Sequence, residues 1–395
     1  MLKHKLLYLF LALGLVLAAC GQNGNSANES ASDENSEQNS TEKADESNGD
    51  KKEEDADDAD FISSFNEGKA ELEKASEGEE VDYQSVIDLY NNDLQPLVEQ
   101  REGEMDQQIS SALEAGKSGD LDGEVVKQIY DKLMQKVFYL TVKHEFDEVK
   151  ENWGNTEEVN KEIEEAKEYY EVLKGTVEKR DAAYDTSMVS QIDGAFSDMD
   201  SAVENDDNLQ FVLATQMVDK TLMKTFYLAT GALPEGYATK AAKEAKEDAE
   251  HARVEQAEGW AFYQSISNYI TNHAEEDAAL IEKNFSLEND VAEIDPEAVN
   301  HAFIRGFSKV ALHEYEESEE EWGEDKSTIT ALEGALFIDM ISSDIQRMEG
   351  EEAYKTLSAH AQSYLEAVKS DEKEKAMEEL KEIKETLNMV IEKAE

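Results

Sequence analysis

Val126-Lys127-Gln128-Ile129-Tyr130-Asp131-Lys132-Leu133-Met134-Gln135-Lys136-Val137-Phe138-Tyr139-Leu140 is the stretch that decides the fold. Its apolar residues recur at intervals of three and four, with Val126, Tyr130, Leu133, Val137 and Leu140 on one stripe. That is the period of an α-helix with a buried face. The stretch returns 88 residues later as Gln216-Met217-Val218-Asp219-Lys220-Thr221-Leu222-Met223-Lys224-Thr225-Phe226-Tyr227-Leu228, with Gln, Asp, Lys, Lys, Phe, Tyr and Leu in matching places. After a further 81 residues a weaker copy follows, where Arg305 stands for the second Lys and Phe307 is kept. Its stripe is Val299, Phe303, Phe307 and Val310. The chain has only three prolines, Pro96, Pro234 and Pro296, and no sustained alternation of branched residues that would suggest strands.

These patterns predict an all-α protein of roughly ten helices, several longer than about twenty residues. The expected architecture is an antiparallel helical bundle, or two, built from internal repeats of about 85 residues over 61–395, with units 83–184, 185–272 and 273–395. Asn152-Trp153-Gly154-Asn155-Thr156 ends one helix, with Thr156 placed to cap the next. Asp295-Pro296-Glu297 reads as an N-cap followed by Pro at the first helical position.

Directly after the first copy comes His144-Glu145-Phe146-Asp147-Glu148-Val149-Lys150-Glu151-Asn152-Trp153-Gly154. It is matched 169 residues on by His313-Glu314-Tyr315-Glu316-Glu317-Ser318-Glu319-Glu320-Glu321-Trp322-Gly323, with six identities. The chain holds only seven His and three Trp, so two of each in register point to duplication. The middle copy has Ala232 where the His would fall. On a helix, His144 shares a face with Asp147 and Glu148, and His313 with Glu316 and Glu317. Each His also continues the inward stripe. An imidazole with two carboxylates suits iron, manganese or zinc, and the two sets either converge on one site or form two. The plainer alternative is a His–Glu hydrogen bond closing the core beside a packed Trp. Glu247, His251, Glu255 and Glu258 offer a further run of this kind, and His273, His301 and His360 have no distinctive sequence partners.

A last echo pairs Glu258-Gly259-Trp260-Ala261-Phe262 with Glu333-Gly334-Ala335-Leu336-Phe337, each followed by Ile-Ser at 266–267 and 341–342. A Gly inside a helical pattern costs about 1 kcal/mol relative to Ala, so its recurrence implies close helix approach or room for a bound group. No phosphate-binding Gly loop, nucleophile elbow or His-Glu-x-x-His pair occurs, and an enzyme is the least supported reading.

Ninety-three acidic residues oppose 37 basic ones, a net charge of −56. Such a surface repels nucleic acid and attracts cations. Either a salt-rich or alkaline habitat or a cation-collecting role accounts for it. Lys3, His4 and Lys5 precede the apolar run Leu6–Leu17, and Leu17-Ala18-Ala19-Cys20 follows. A basic start, a short apolar stretch and small residues before a cleavage point read as a signal peptide over 1–19. Leu17-Ala18-Ala19-Cys20 resembles the lipobox of bacterial lipoproteins, which implies lipid attachment at Cys20 and a lipid-anchored chain on the extracytoplasmic face of the cell membrane. The alternative is an ordinary signal peptide with an incidental Cys. Cys20 is the only cysteine, so a disulfide within the chain or a thiolate metal site is excluded. Residues 20–60 have too little apolar content to fold and read as an acidic, disordered linker with a reach of roughly 35 Å.

The export signal, acidic helices, duplication and His-x-x-acid pattern (His144 to Asp147, His313 to Glu316) together resemble the imelysin-type iron-uptake lipoproteins. That resemblance implies a duplicated helical domain over about 80–395 that handles iron. Beside the membrane reached through the lipid anchor at Cys20, a membrane permease or envelope protein is an expected partner. The Gly which that family carries two residues before its His is Val142 and Ala311 here. The leading expectation is thus a surface-tethered binding protein for a metal cation. The other is a non-catalytic envelope interaction or spacer protein without a metal site.

Overall fold

Val126 to Leu140 lies within one 29-residue helix of the computed structural model, which describes residues 58–395. The signal peptide 1–19, Cys20 and nearly all of the 20–60 linker lie outside the described residues. The order is α1 (Asp58–Glu77), α2 (Tyr83–Leu89), α3 (Gln95–Ser118), α4 (Gly123–Glu151), α5 (Thr156–Tyr184), α6 (Met188–Glu204), α7 (Asn208–Thr230), α8 (Tyr237–Glu244), α9 (Ala249–Gln264), α10 (Ser267–His273), α11 (Glu275–Phe285), α12 (Pro296–Glu320), α13 (Asp325–Met340), α14 (Ser342–Glu349), α15 (Glu351–Lys369) and α16 (Lys373–Lys393). The described residues contain no strand. They form one compact unit, an all-α bundle, and none of their helices is long and apolar enough to cross a membrane.

Helix α4 starts where Asp122 accepts a hydrogen bond from the Glu124 amide at 2.9 Å. It ends at Asn152, just ahead of Gly154, whose φ of 97° only Gly adopts readily. Helix α12 starts as its sequence suggests: Asp295 caps the Glu297 and Ala298 amides, each at 3.1 Å, and Pro296 is the first helical residue. Thr156 is different, because it opens α5 while Asn155 occupies the cap position without a side-chain bond.

The single-face reading of α4 is too narrow. Val126, Tyr130, Leu133 and Val137 are buried, but so are Ile129, Met134, Phe138 and Tyr139. Helices α1, α3, α5 and α9 pack around α4 and cover it on several sides. Helix α7 is likewise enclosed, by α6, α13, α9 and α5. There are more helices than expected, in part because bends split two of the long patterns. These bends fall at Ile266, between α9 and α10, and at Ile341, between α13 and α14, which are the repeated Ile-Ser positions.

Enclosing α4 and α7 buries their charged residues, so the repeated Asp-Lys is an ion pair with an interior role. Lys132 Nζ lies 2.6 Å from Asp131 and 3.2 Å from Glu258, while Lys220 Nζ lies 2.7 Å from Asp219 and 3.0 Å from Glu333. Each repeated Glu-Gly thus supplies the carboxylate that receives the lysine of a repeated Asp-Lys. Burial would raise Asp131, but Lys132 and Lys69 outweigh it and hold the carboxyl down at about 2. Lys143 and Lys220 do the same for Asp219, again against burial. Tyr139 donates to Asp219 at 2.5 Å and ties α4 to α7. Asn300, which stands 81 residues after Asp219, donates to Tyr227, Gly231 and Asp344.

The repeated Gly serves close packing. A Cβ on Gly259 would meet the Phe285 ring at 2.2 Å, and one on Gly334 the Tyr315 ring at 2.8 Å.

Candidate functional site

Helix α4 carries His144 into its last two turns, where cover thins and the helix meets the Trp153 corner. His144 Nε2 lies 3.7 Å from Glu148 one turn on, and His313 Nε2 on α12 lies 3.4 Å from Glu317. The predicted His–Glu pairs are therefore together. With the imidazoles 42% and 44% exposed, each pair is worth only ~0.5 kcal/mol to stability. Asp147 and Glu316 are exposed, and Asp147 is engaged by Lys150 at 2.7 Å. Each histidine keeps its own surroundings. Burial and then Arg101 lower the His144 pKa against Glu148, Asp147 and Glu151, none of which comes from α12.

The residue after each histidine carries the chemistry that spacing alone did not single out. Glu145 points into the bundle and is 6% exposed. Oxygens of Glu145, Glu162 and Glu165 all lie within 4.8 Å of one another, the last two presented one turn apart by α5. Burial, then a hydrogen bond with Glu162, pushes Glu145 up to about 8, although Arg101 lies 3.7 Å away. Helix α12 repeats the arrangement against α13. Burial, then Glu333, pushes Glu314 up to about 8 despite Lys220, with Glu317 adding to the rise. Two carboxyls so placed share a proton, or a cation in its place.

The second cluster has a component the first lacks. His273, the last residue of α10, sets its ring against His313 with centroids 4.5 Å apart and planes inclined by 42°. Burial, then His313, lowers the His273 pKa against the pull of Glu317. Lys326 reaches the second Glu317 oxygen at 3.4 Å. One turn back on α10, Tyr269 accepts from Lys143 at 3.0 Å, so α10 touches the helix of the first cluster as well.

The Trp residues build matching corners. Trp153 Nε1 donates to Asp206 at 3.1 Å and Trp322 Nε1 to Asp371 at 2.9 Å. Both aspartates sit in left-handed turns, with φ of 55° and 53°. A shallow cavity of about 250 Å³ opens at the first corner between Trp153, Val159, Val203 and Asp206, but its one carboxylate is already held by the indole.

The run proposed around His251 loses its first member, while His251, Glu255 and Glu258 share α9. Helix α9 begins at Ala249, which leaves Glu247 outside it, and exposed His251 helps close the N-terminus by donating its amide to Asp248 at 3.2 Å. His360 has a partner from another helix, Glu379 at 2.6 Å. Sequence reasoning missed Glu145, Glu314, Glu162, Glu165 and His273. The first two were visible as identities between the duplicated segments. The other three come from neighbouring helices and carry no local signal.

No protein-family model matches the chain, and no curated protein or solved structure matches it either.

Proposed function

We propose that this protein is a lipid-tethered, extracytoplasmic helical binding protein that collects a divalent cation such as iron, manganese or zinc for delivery to a membrane permease or another envelope protein. The observation that carries the reading is the duplicated His–Glu pair, in which a half-exposed imidazole precedes a carboxyl that faces another carboxyl: buried Glu145 with Glu162, and half-buried Glu314 with Glu333. Bringing carboxylates together in a poorly solvated place is unfavourable unless a proton or a cation joins them. A net charge of −56 raises the local cation concentration around such sites. The resemblance to imelysin-type lipoproteins puts iron among the ions to try.

The tether belongs to the same proposal: lipid at Cys20, then a flexible arm that holds the bundle off the membrane. Repeat units of about 85 residues are proposed as its origin, supported by the equivalent places of Asp131, Asp219 and Asn300 and by the paired Lys132–Glu258 and Lys220–Glu333 contacts.

Metal content after dialysis against iron, manganese and zinc tests the reading. Stoichiometric metal is expected in wild type and a loss in His144→Ala/His313→Ala. No metal, or equal metal in the double variant, overturns it. The second reading, an envelope interaction or spacer protein, is supported by the Trp–Asp corners, where matching residues make structural hydrogen bonds. It expects the double variant to lose stability and no ligand.

A further inference from the structure

The two Trp–Asp corners are alike in backbone and differ in what stands over the indole. Ala202-Val203 and Ala367-Val368 lead into the same turn. The Asp207 amide donates to Ala202 at 2.9 Å and the Glu372 amide to Ala367 at 2.8 Å, while the amides of Asp206 and Asp371 donate to Val203 at 3.3 Å and to Val368 at 3.1 Å. Each turn holds a left-handed aspartate that accepts from its indole, and α7 or α16 starts two residues later. These matches pair Asn208 with Lys373, the first residue of each helix, and Glu204 with Lys369.

At the second corner the Lys373 ammonium lies 5.3 Å from the centre of the Trp322 ring, within the range of a cation–π contact. At the first corner the counterpart of Lys373 is neutral Asn208, and Glu204 stands where Lys369 brings a second positive charge. There the cavity of about 250 Å³ opens beside Trp153, walled by Val159 and Val203 with Asp206 at its side. The indole takes only Oδ1 of Asp206 and leaves Oδ2 without a partner among the described residues. Phe211 packs against the Trp153 ring with centroids 5.5 Å apart and holds it in place.

We propose that the first corner binds a primary alkylammonium group, which takes the place that Lys373 fills at the second corner. The chain carries an image of the bound ligand in its own duplicate. The π face of Trp153 attracts the ammonium, Asp206 Oδ2 accepts one of its N–H groups, and the two valines receive the alkyl chain. A net charge of −56 draws such a cation to the surface. Neither the Glu145 nor the Glu314 cluster takes part. A free amine and a lysine side chain share this chemistry.

The test is a titration of the full chain with n-butylamine at neutral pH, followed by nuclear magnetic resonance through the indole Nε1–H signals of its three tryptophans. High salt screens cations held loosely by the acidic surface. The Trp153 signal should shift and saturate while that of Trp322 stays in place. Asp206→Asn keeps an acceptor for the indole and tolerates the left-handed turn, and should weaken binding about fivefold through loss of the charge. Asn208→Lys supplies an ammonium from within and should leave Trp153 unresponsive. Lys373→Asn should make Trp322 respond, a gain that misfolding does not mimic. Nα-acetyl-lysine amide in the same titration separates the sources: tighter binding than n-butylamine assigns the site to a lysine side chain of a partner protein, weaker binding to a free amine. A Trp153 signal that does not saturate overturns the proposal. So does one that titrates equally in wild type and Asn208→Lys, or a Trp322 signal that stays silent once Lys373 is gone.

Discussion

Replacing Glu145 with Gln should stabilise this protein, and increasingly so as pH rises. Glu145 is pushed up to about 8 from an ordinary 4.5, so between those values the folded state holds a proton that the unfolded chain has released. Stability therefore falls as pH climbs through that window and levels off above it. The span of about 3.5 pH units sets a ceiling of ~5 kcal/mol at 1.36 kcal/mol per unit. Solvent reaching the half-buried Glu165 side of the cluster screens part of this, leaving an expected effect on the order of 3 kcal/mol. Gln mimics the protonated state: it has the same shape, carries no charge and can still donate to Glu162. In metal-free buffer with chelator, urea midpoints of wild type and Glu145→Gln should coincide near pH 4.5 and separate progressively to pH 9, with the slope of unfolding unchanged. Loss of stability in the variant at pH 9, or an equal offset at both ends, would refute the picture of a strained carboxylate pair.

Other parts of the account are open to simple checks. Asp219→Ala leaves buried Lys220 with Glu333 as its one carboxylate, takes the carboxylate from half-buried Lys143 and removes the acceptor for Tyr139, so thermal unfolding should report a loss of about 3 kcal/mol. Gly334→Ala drives a methyl to 2.8 Å from the Tyr315 ring and should cost about 1–3 kcal/mol. Gly175→Ala in α5, where nothing lies within 4 Å, should instead raise the denaturation midpoint by the equivalent of about 0.5–1 kcal/mol. Trp322→Phe keeps the ring but loses the bond to Asp371, a change of about 1 kcal/mol that should appear in stability and leave metal binding alone.

The fold class was legible because helical periodicity is local. The stripe from Val126 to Val137 and the Asp295-Pro296 start both carry their own signals. How completely α4 would be enclosed was not legible, since that depends on which helices pack beside it. The Asp-Lys repeat shows the same limit: its conservation between copies was visible, but the carboxylates that make it buriable, Glu258 and Glu333, lie far along the chain. For the site, helix spacing placed His144 with Glu148 and His313 with Glu317. The same spacing put Asp147 and Glu316 on that face as well, and packing turned them to solvent. Glu145 and Glu314 were passed over because adjacent residues do not share a helix face. That difference in direction is what sends one side chain of each pair inward and leaves the other at the surface. His273 meets His313 only through the tertiary approach of α10 to α12.

The central claim is that the duplicated clusters hold cations. Crystals of the protein soaked separately in manganese and zinc, with anomalous difference maps collected at each metal's absorption edge, test it most directly. The account predicts an anomalous peak at each duplicated cluster, beside His144 and Glu145 on one helix and beside His313 and Glu314 on the other. Peaks confined to exposed carboxylates, with both clusters empty at high occupancy elsewhere, would contradict it.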